Sequence, residues 1–367
     1  GSVQDAAVSP DGALLASAGT DRTVRLWTTA LVGELNVFSL GPGANIFGRI
    51  RYSPDGRQLA TGMGAGPAEG WDPLAGERVL ALPQVNEGES SIAVAYSPDG
   101  ERLAASTASG LIPIWDIPSQ EHVQTLVGHT SMVVDLAFSP DGQRVASAGF
   151  DGMAAVWDLE SGQATTLTLN PDLPSLFSVS FSPDGSRVAT SSPMEDTSSE
   201  GRGIHVWDAL TGTALYTITI DTMSVYAVCY SPDGELIAAG VQEGEVLVYD
   251  ASSRELVWRL TGHTGLVPNL AFTADSKVLT SSSHDNTVKV WDLDTGEEVA
   301  TLDPLTGYLA GHTVSPDGTR IATASADGTI RTFVLSTQEL VELARSRVTR
   351  SLTTAECQKY LHLDQCP

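Results

Sequence analysis

The chain has 367 residues, of which 41% are apolar and 18% charged, so it can bury a large core and is not a disordered polymer. Its 45 acidic residues outnumber its 20 basic residues, and the formal net charge of −25 makes nucleic acid and anionic membranes poor partners. The sequence contains neither an apolar run of bilayer length nor a signal peptide.

The first residues, Ser2-Val3-Gln4-Asp5, already belong to a repeated unit. We therefore expect the sequence to be a piece of a longer cytoplasmic protein, with Gly1-Ser2 as a linker or cloning remnant.

A tetrapeptide marks each repeat along the chain. Ser-Pro-Asp-Gly begins at Ser9, Ser53, Ser97, Ser139, Ser182, Ser231 and Ser315, and a degenerate copy, Thr-Ala-Asp-Ser, begins at Thr273. An aromatic residue follows each copy, at Trp27, Trp71, Trp115, Trp157, Trp207, Tyr249, Trp291 and Phe333. Because the copies lie 42 to 49 residues apart and keep one register, they predict eight structural units.

Each unit divides into four short predicted strands, as the fourth unit illustrates. Val133–Phe138 is an apolar run that ends at a Ser-Pro-Asp-Gly turn. Residues 144–148, 154–157 and 164–169 follow as strands separated by glycine-containing turns. The first three strands are apolar on both faces, so neighbouring sheets must cover both faces. The pattern predicts an all-β protein of stacked four-stranded sheets.

The repeat length, the Trp-Asp endings and the dipeptides Gly128-His129 and Gly262-His263 resemble the WD-repeat (WD-40) family from Val3 to about Ala344. This resemblance implies a β-propeller with one four-stranded blade per repeat. We expect eight blades in a propeller domain of residues 1–344. Seven blades is the alternative, because seven is the commonest number in the family.

Four residues recur with identical spacing in two repeats. They are His129, Ser147, Asp151 and Trp157 in one repeat, and His263, Ser281, Asp285 and Trp291 in the other. A His, a Ser and an Asp could form a hydrolytic triad, but a nucleophile has to be exposed near an oxyanion hole. The resemblance implies instead a buried hydrogen-bonded chain that braces the blade. Its occurrence in two copies also favours this structural role.

The cysteines and histidines predict no cofactor. Cys229 lies in an apolar strand, whereas Cys357 and Cys366 are near enough in sequence to form a disulfide. No spacing typical of a metal site and no phosphate-binding loop occurs, so we predict neither a metal nor a cofactor. His312 falls within a predicted first strand, where we expect a core histidine with a local partner.

The residue four positions before each turn begins a first strand, which faces the central channel of a propeller. These positions hold Asp5, Arg49, Ala93, Asp135, Ser178, Ala227, Asn269 and Gly311. Two positions later the residues are mostly small, and Arg51 is the exception. From both sets we predict a partner-binding group of Asp5, Arg49, Arg51, Asp135, Ser178 and Asn269. The two arginines can pair with a neighbouring acid such as Asp5, which we favour, or contact an anion or carboxylate at the channel mouth.

The pattern changes after Ala344. Residues 345–350 are basic, and Thr353 with Glu356 forms a capping box that predicts a short helix over residues 357–361. We expect this tail, residues 345–367, to pack on the propeller. Its ending resembles the C-termini of large bacterial signalling proteins that carry a WD-repeat array behind an effector domain.

Two functional hypotheses follow. The favoured one is a non-catalytic interaction or sensor module, monomeric as an isolated domain, that binds a protein or peptide at the channel mouth. The alternative is a propeller enzyme, such as a metal-dependent hydrolase or lactonase with its site in the channel. Asp5 and Asp135 are the candidate ligands for that alternative, although three repeats separate them.

Overall fold

The computed structural model describes residues 3–8, 14–19, 24–28, 33–40, 49–62, 66–86, 89–167, 175–192, 203–220, 224–302 and 308–335. In this part of the chain the regular elements are β-strands, which confirms the expected all-β class. None of the described segments forms a helix long and apolar enough to cross a membrane.

The first three strands form an antiparallel sheet of their own, in the order β1 (Val3–Val8), β2 (Leu14–Gly19), β3 (Val24–Thr28). The register shifts between Val3 and Asp5, so that Asp5 lies opposite Ala18. The side chain of Asp5 is outside the described part of the chain.

The described residues also form seven four-stranded sheets, which are the blades. Blade 1 has β5 (Ile50–Tyr52), β6 (Leu59–Thr61), β7 (Glu69–Trp71) and β8 (Arg78–Ala81), and blade 2 has β9 (Ser91–Tyr96), β10 (Arg102–Thr107), β11 (Ile112–Asp116) and β12 (Glu121–Leu126). Blade 3 has β13 (Val133–Phe138), β14 (Arg144–Gly149), β15 (Ala154–Asp158) and β16 (Ala164–Leu167), and blade 4 has β17 (Val179–Phe181), β18 (Arg187–Ser192), β19 (Gly203–Asp208) and β20 (Ala214–Thr219). Blade 5 has β21 (Val225–Tyr230), β22 (Leu236–Val241), β23 (Val246–Asp250) and β24 (Leu256–Leu260), and blade 6 has β25 (Asn269–Phe272), β26 (Val278–Ser282), β27 (Val288–Asp292) and β28 (Glu298–Leu302). Blade 7 has β29 (Leu309–Val314), β30 (Arg320–Ser325), β31 (Thr329–Val334) and, as its fourth strand, β4 (Gly33–Ser39).

The first strands of the blades surround the channel. Each contacts the first strand of the next blade, and β29 of blade 7 contacts β5 of blade 1, so the seven blades close a ring. Apart from the first three residues of β4 and the last two of β31, the ring lies within a compact unit of residues 36–332. Apolar clusters join adjacent blades, and the one between blades 7 and 1 packs Ile50, Trp71 and Ile330 with Phe38 of β4.

The expected number of eight blades is therefore wrong, and the alternative of seven is correct. Eight repeats give seven blades because β4, which follows the first repeat's β3 in sequence, pairs with β31 of the last repeat. Residues 339–344, where the repeat pattern would place the fourth strand of the last repeat, lie outside the described residues. So do the domain boundary at residue 344, the helix over residues 357–361 and the Cys357–Cys366 disulfide, which all stay predictions.

The Ser-Pro-Asp-Gly turns fix the hairpin between the first two strands of a blade. In blade 1 the Gly56 N–H donates to the Ser53 carbonyl oxygen (2.9 Å) and the Ser53 hydroxyl donates to Asp55 Oδ1 (2.6 Å). Gly56 has φ +72°, a conformation that glycine adopts without strain. In blade 4 the equivalent hydrogen bond, from the Ser182 hydroxyl to Asp184, lowers the pKa of Asp184 to about 2. These carboxylates are therefore charged parts of the turns.

Candidate functional site: the central channel and its mouth

Two layers of side chains from the first strands line a cavity of about 300 Å³ in the channel. Because side chains alternate along a strand, residues two apart face the same way. The outer layer supplies Arg49, Asp135, Ser178 and Ala227, and the inner layer supplies Arg51, Ala95, Ala137, Ser180 and Cys229. The cavity extends to Pro54 of a Ser-Pro-Asp-Gly turn.

An ion pair crosses the channel in the outer layer. Arg49 Nε of blade 1 lies 3.0 Å from Asp135 Oδ1 of blade 3, and the Asp135 side chain is 3% exposed. Ser178 of blade 4 donates its hydroxyl to Asp135 Oδ2 (2.9 Å), and the Val179 N–H donates to the same oxygen (3.0 Å). The Leu136 N–H donates to Oδ1 (3.1 Å). Both oxygens of Asp135 are thus occupied.

The structure therefore brings together four of the predicted partner-binding residues, Arg49, Arg51, Asp135 and Ser178. The arginines meet Asp135 across the channel, whereas the sequence favoured a neighbouring acid such as Asp5. Their role in partner binding stays a prediction.

Arg51 is less completely paired than Arg49. Its Nη2 lies 3.6 Å from Asp135 Oδ1, beyond hydrogen-bond range, and its Nη1 donates to the Ile50 carbonyl oxygen (3.1 Å). Burial and, next, the charge of Arg49 lower the pKa of Arg51 to about 10, so Arg51 stays cationic at neutral pH. Burial also raises the pKa of the Cys229 thiol to about 12.

Asn269, the fifth described member of the predicted group, bonds elsewhere. Its Nδ2 donates to the carbonyl oxygen of His312 (3.1 Å), and its side chain is buried. The fully buried His312 bonds through Nε2 to the Thr280 hydroxyl (2.8 Å). Asn269 thus positions the first strand of blade 7.

We call each of the two recurring sets of four residues a tetrad. The first tetrad is a continuous hydrogen-bonded chain inside blade 3. Trp157 Nε1 donates to Ser147 Oγ (2.8 Å), Ser147 Oγ contacts His129 Nε2 (2.8 Å), and His129 Nδ1 contacts both oxygens of Asp151 (3.0 Å each). An indole N–H only donates and a carboxylate only accepts, so the serine donates to Nε2 and Nδ1–H donates to the aspartate.

The second tetrad, in blade 6, has the same geometry. Trp291 and His263 bond to Ser281 Oγ at 2.8 and 2.9 Å, and His263 Nδ1 lies 2.9 Å from Asp285. Burial lowers the pKa of His263, which favours the neutral ring. Both serines are fully buried, and their hydroxyls are used by Trp and His. The arrangement fits a structural brace and not an exposed nucleophile.

Among the described residues, no three His, Cys, Asp or Glu side chains cluster as metal ligands.

An aromatic cluster at the channel mouth was not identified from the sequence. The ring centroids of Phe150 and Phe177 are 5.5 Å apart, and those of Phe177 and Tyr226 are 4.6 Å apart. We call these three residues, which come from blades 3, 4 and 5, the aromatic patch. On the same face, the Tyr308 hydroxyl lies 2.6 Å from His284 Nε2. The sequence did contain one signal for this cluster, namely a bulky aromatic residue in a turn. Phe150 directly precedes Asp151, and His284 directly precedes Asp285 at the equivalent position of its repeat.

The patch and the ion pair are directly connected. Arg49 Nη2 donates to the carbonyl oxygen of Phe177 (3.2 Å), so the trans-channel pair also holds the backbone beneath the patch. Phe150 is 40% exposed and Tyr308 is 48% exposed. The face thus combines a rigid base with accessible aromatic surface.

Comparison with known families gives two matches. The family "WD domain, G-beta repeat" matches residues 1–28, 83–116, 120–158 and 300–333. The family "Anaphase-promoting complex subunit 4 WD40 domain" matches residues 228–308. No curated protein matches the chain.

Proposed function

The chain is a WD-repeat β-propeller, and we propose that it is a non-catalytic interaction module that binds a protein or peptide through the aromatic patch at the channel mouth. The family to which this propeller belongs supports the role of a protein-interaction scaffold. We choose the face at the channel mouth as the binding face because the aromatic patch lies there.

Three features support this choice. Aromatic side chains dominate binding energy at protein interfaces, and Phe150 keeps two fifths of its surface exposed. The patch draws on three blades, so a ligand there contacts a surface that only the assembled ring provides. The hydrogen bond from Arg49 to Phe177 fixes the backbone below, which lowers the ordering cost of binding.

The wider setting is also part of the proposal. The resemblance of the tail to bacterial signalling proteins supports a sensor that controls an attached effector domain in the cytoplasm. The net charge of −25 supports a protein or peptide partner over nucleic acid or an anionic membrane. We propose that the isolated domain is a monomer.

Peptide selection tests the proposed face. A random peptide library is selected on the full chain, and the binders are titrated against the double variant Phe150→Ser/Tyr226→Ser. The matched control is Val123→Ser/Leu256→Ser, which removes exposed apolar side chains from the outer strands β12 and β24. We expect about a tenfold or greater loss of affinity for the patch variant and no loss for the control. Selected peptides that bind both variants like the original protein, or a selection that yields none, would refute the proposal.

A further inference from the structure

We propose that the channel cavity is a binding site for a small carboxylate anion, which the guanidinium of Arg51 holds. The proposal concerns the inside of the channel and does not depend on the aromatic patch at its mouth.

The charges that line the cavity do not balance. Among the described lining residues, Arg49 and Arg51 are the cations and Asp135 is the carboxylate. One positive charge therefore remains in the channel of a protein whose formal net charge is −25. A local charge opposite in sign to that of the whole molecule marks a place where an anion is stabilised.

Asp135 is already committed to other groups. Its Oδ1 lies 3.0 Å from Arg49 Nε, and its Oδ2 accepts from Ser178 and from the backbone of Val179. At 3.6 Å, Arg51 Nη2 is too distant from it for a hydrogen bond. The same carboxylate therefore cannot serve both guanidinium groups well.

Most donors of Arg51 have no acceptor among the described residues. Its one hydrogen bond there goes to the carbonyl oxygen of Ile50, its neighbour in the chain. A guanidinium has five N–H donors, and two of its edges match the two oxygens of a carboxylate. Ser180, on the same layer, donates to the Phe181 carbonyl oxygen and accepts from the Tyr230 N–H. No hydrogen bond joins Ser180 to Arg51 in the part of the chain that the structure describes.

The space beside Arg51 suits a small organic acid. The other residues of its layer that line the cavity are small, namely Ala95, Ala137, Ser180 and Cys229. They leave about 300 Å³, roughly the volume of ten water molecules at about 30 Å³ each. The Arg49–Asp135 ion pair lies at the end of the cavity below the aromatic patch. At its other end the cavity reaches Pro54 in a Ser-Pro-Asp-Gly turn. We infer that the anion enters from the turn side.

The single excess charge favours a carboxylate over phosphate. A large fraction of inorganic phosphate carries two negative charges at neutral pH, and Asp135 repels the second of them. A carboxylate needs only one bidentate guanidinium, which Arg51 offers.

Thermal unfolding of the full chain tests the site. The probe is the monocarboxylate propionate, inorganic phosphate is the competing anion, and sodium chloride at equal ionic strength is the reference. Binding to the folded state raises the melting temperature. The test variant is Arg51→Met, which keeps the length of the side chain and removes the charge. The control is Arg57→Met on an exposed turn, where the arginine side chain is 85% exposed, so the net charge changes equally.

We expect propionate to raise the melting temperature of the original protein and of Arg57→Met by several degrees over chloride, and to leave that of Arg51→Met unchanged. Should Arg51→Met fail to fold, the Arg51 Nε–H resonance of the original protein is followed instead, and it is expected to shift with propionate. The proposal is overturned if propionate acts no more than chloride, if Arg51→Met responds like the original, if the resonance does not move, or if phosphate acts more strongly than propionate.

Discussion

Arg49 Nε lies 3.0 Å from Asp135 Oδ1, although their strands, β5 and β13, belong to blades 1 and 3, which are not neighbours in the ring. The pair spans the channel because the intervening residue of that layer, Ala93, is small. A single carboxylate thus links blade 1 to blade 3, and to blade 4 through Ser178. The channel wall is braced across its opening as well as around its circumference.

Replacing Asp135 with alanine is expected to lower the free energy of unfolding by about 3–5 kcal/mol, because it leaves Arg49 and Arg51 together without a counter-charge. Urea unfolding measures the loss. The double variant Asp135→Leu/Arg49→Met is expected to lose less, since both members of the pair are replaced by apolar groups. An alanine variant within about 1 kcal/mol of the original would show that the pair does not stabilise the ring.

Ser147 is the central link of the first tetrad. Its replacement by alanine leaves Trp157 Nε1 and His129 Nε2 without their partner inside blade 3. We expect a loss of about 2–6 kcal/mol, the sum for two buried polar groups that each lose their partner. Ser161→Ala, on an exposed turn where the hydroxyl donates to Asp158, is the control and is expected to cost under about 1 kcal/mol. Equal losses in urea unfolding would contradict the bracing role.

His312 makes stability depend on pH. Burial and, next, the charge of Arg51 lower the pKa of its imidazole to about 3, whereas the unfolded chain has an ordinary value of about 6.5. Between these values the unfolded chain binds more protons, so the stability that neutral His312 contributes is present above about pH 6.5 and is lost as the pH falls toward 3. The lowered pKa of His263 acts in the same direction.

Urea unfolding at pH 7.5 and pH 5.0 measures this effect. At pH 5.0, about 1.5 units below the unfolded value, the His312 contribution has fallen by about 2 kcal/mol. His312→Gln is therefore expected to lose about 2 kcal/mol less than the original protein between the two pH values. His122→Gln, which removes an exposed histidine from β12, is expected to match the original. An unchanged pH dependence in His312→Gln would contradict the assignment.

Phe38 anchors the closing strand. Its ring centroid lies 6.0 Å from that of Trp71, so β4 of blade 7 packs on blade 1. Phe38→Ala is expected to lower the free energy of unfolding by about 1–3 kcal/mol, less than for a fully buried phenylalanine. Val37→Ala, at the adjacent and exposed position of β4, is expected to cost under about 1 kcal/mol. If both variants unfolded at the same urea concentration, β4 would not be packed in this register.

The repeat motif predicted the local structure well. The Ser-Pro-Asp-Gly turns determine where each first strand ends, and the predicted strand Val133–Phe138 has those bounds in the structure. This success has a local cause, because the turn hydrogen bonds join residues three to five apart. The repeats also indicated which residues form layers in the channel.

The blade number and the patch depend on contacts between distant residues, which a repeat motif does not encode. The fourth strand of blade 7 comes from the start of the chain, so counting repeats overestimated the blades by one. Likewise, Asp135 meets Arg49 across the intervening blade 2, a contact that depends on how blades 1, 2 and 3 pack around the channel. Phe150 and Tyr226 approach Phe177 from separate repeats and share no sequence spacing that would link them.

The closure of seven blades by β4 leaves the first repeat's strands β1, β2 and β3 outside the ring. Thermal unfolding of a chain without residues 1–28, which lacks β1, β2 and β3 but keeps β4, tests it most directly. We predict a single cooperative transition within a few degrees of that of the full chain, because the ring needs none of the three strands. A truncated chain that fails to fold, or melts far below the full chain, would show that the first repeat forms a blade of an eight-membered ring.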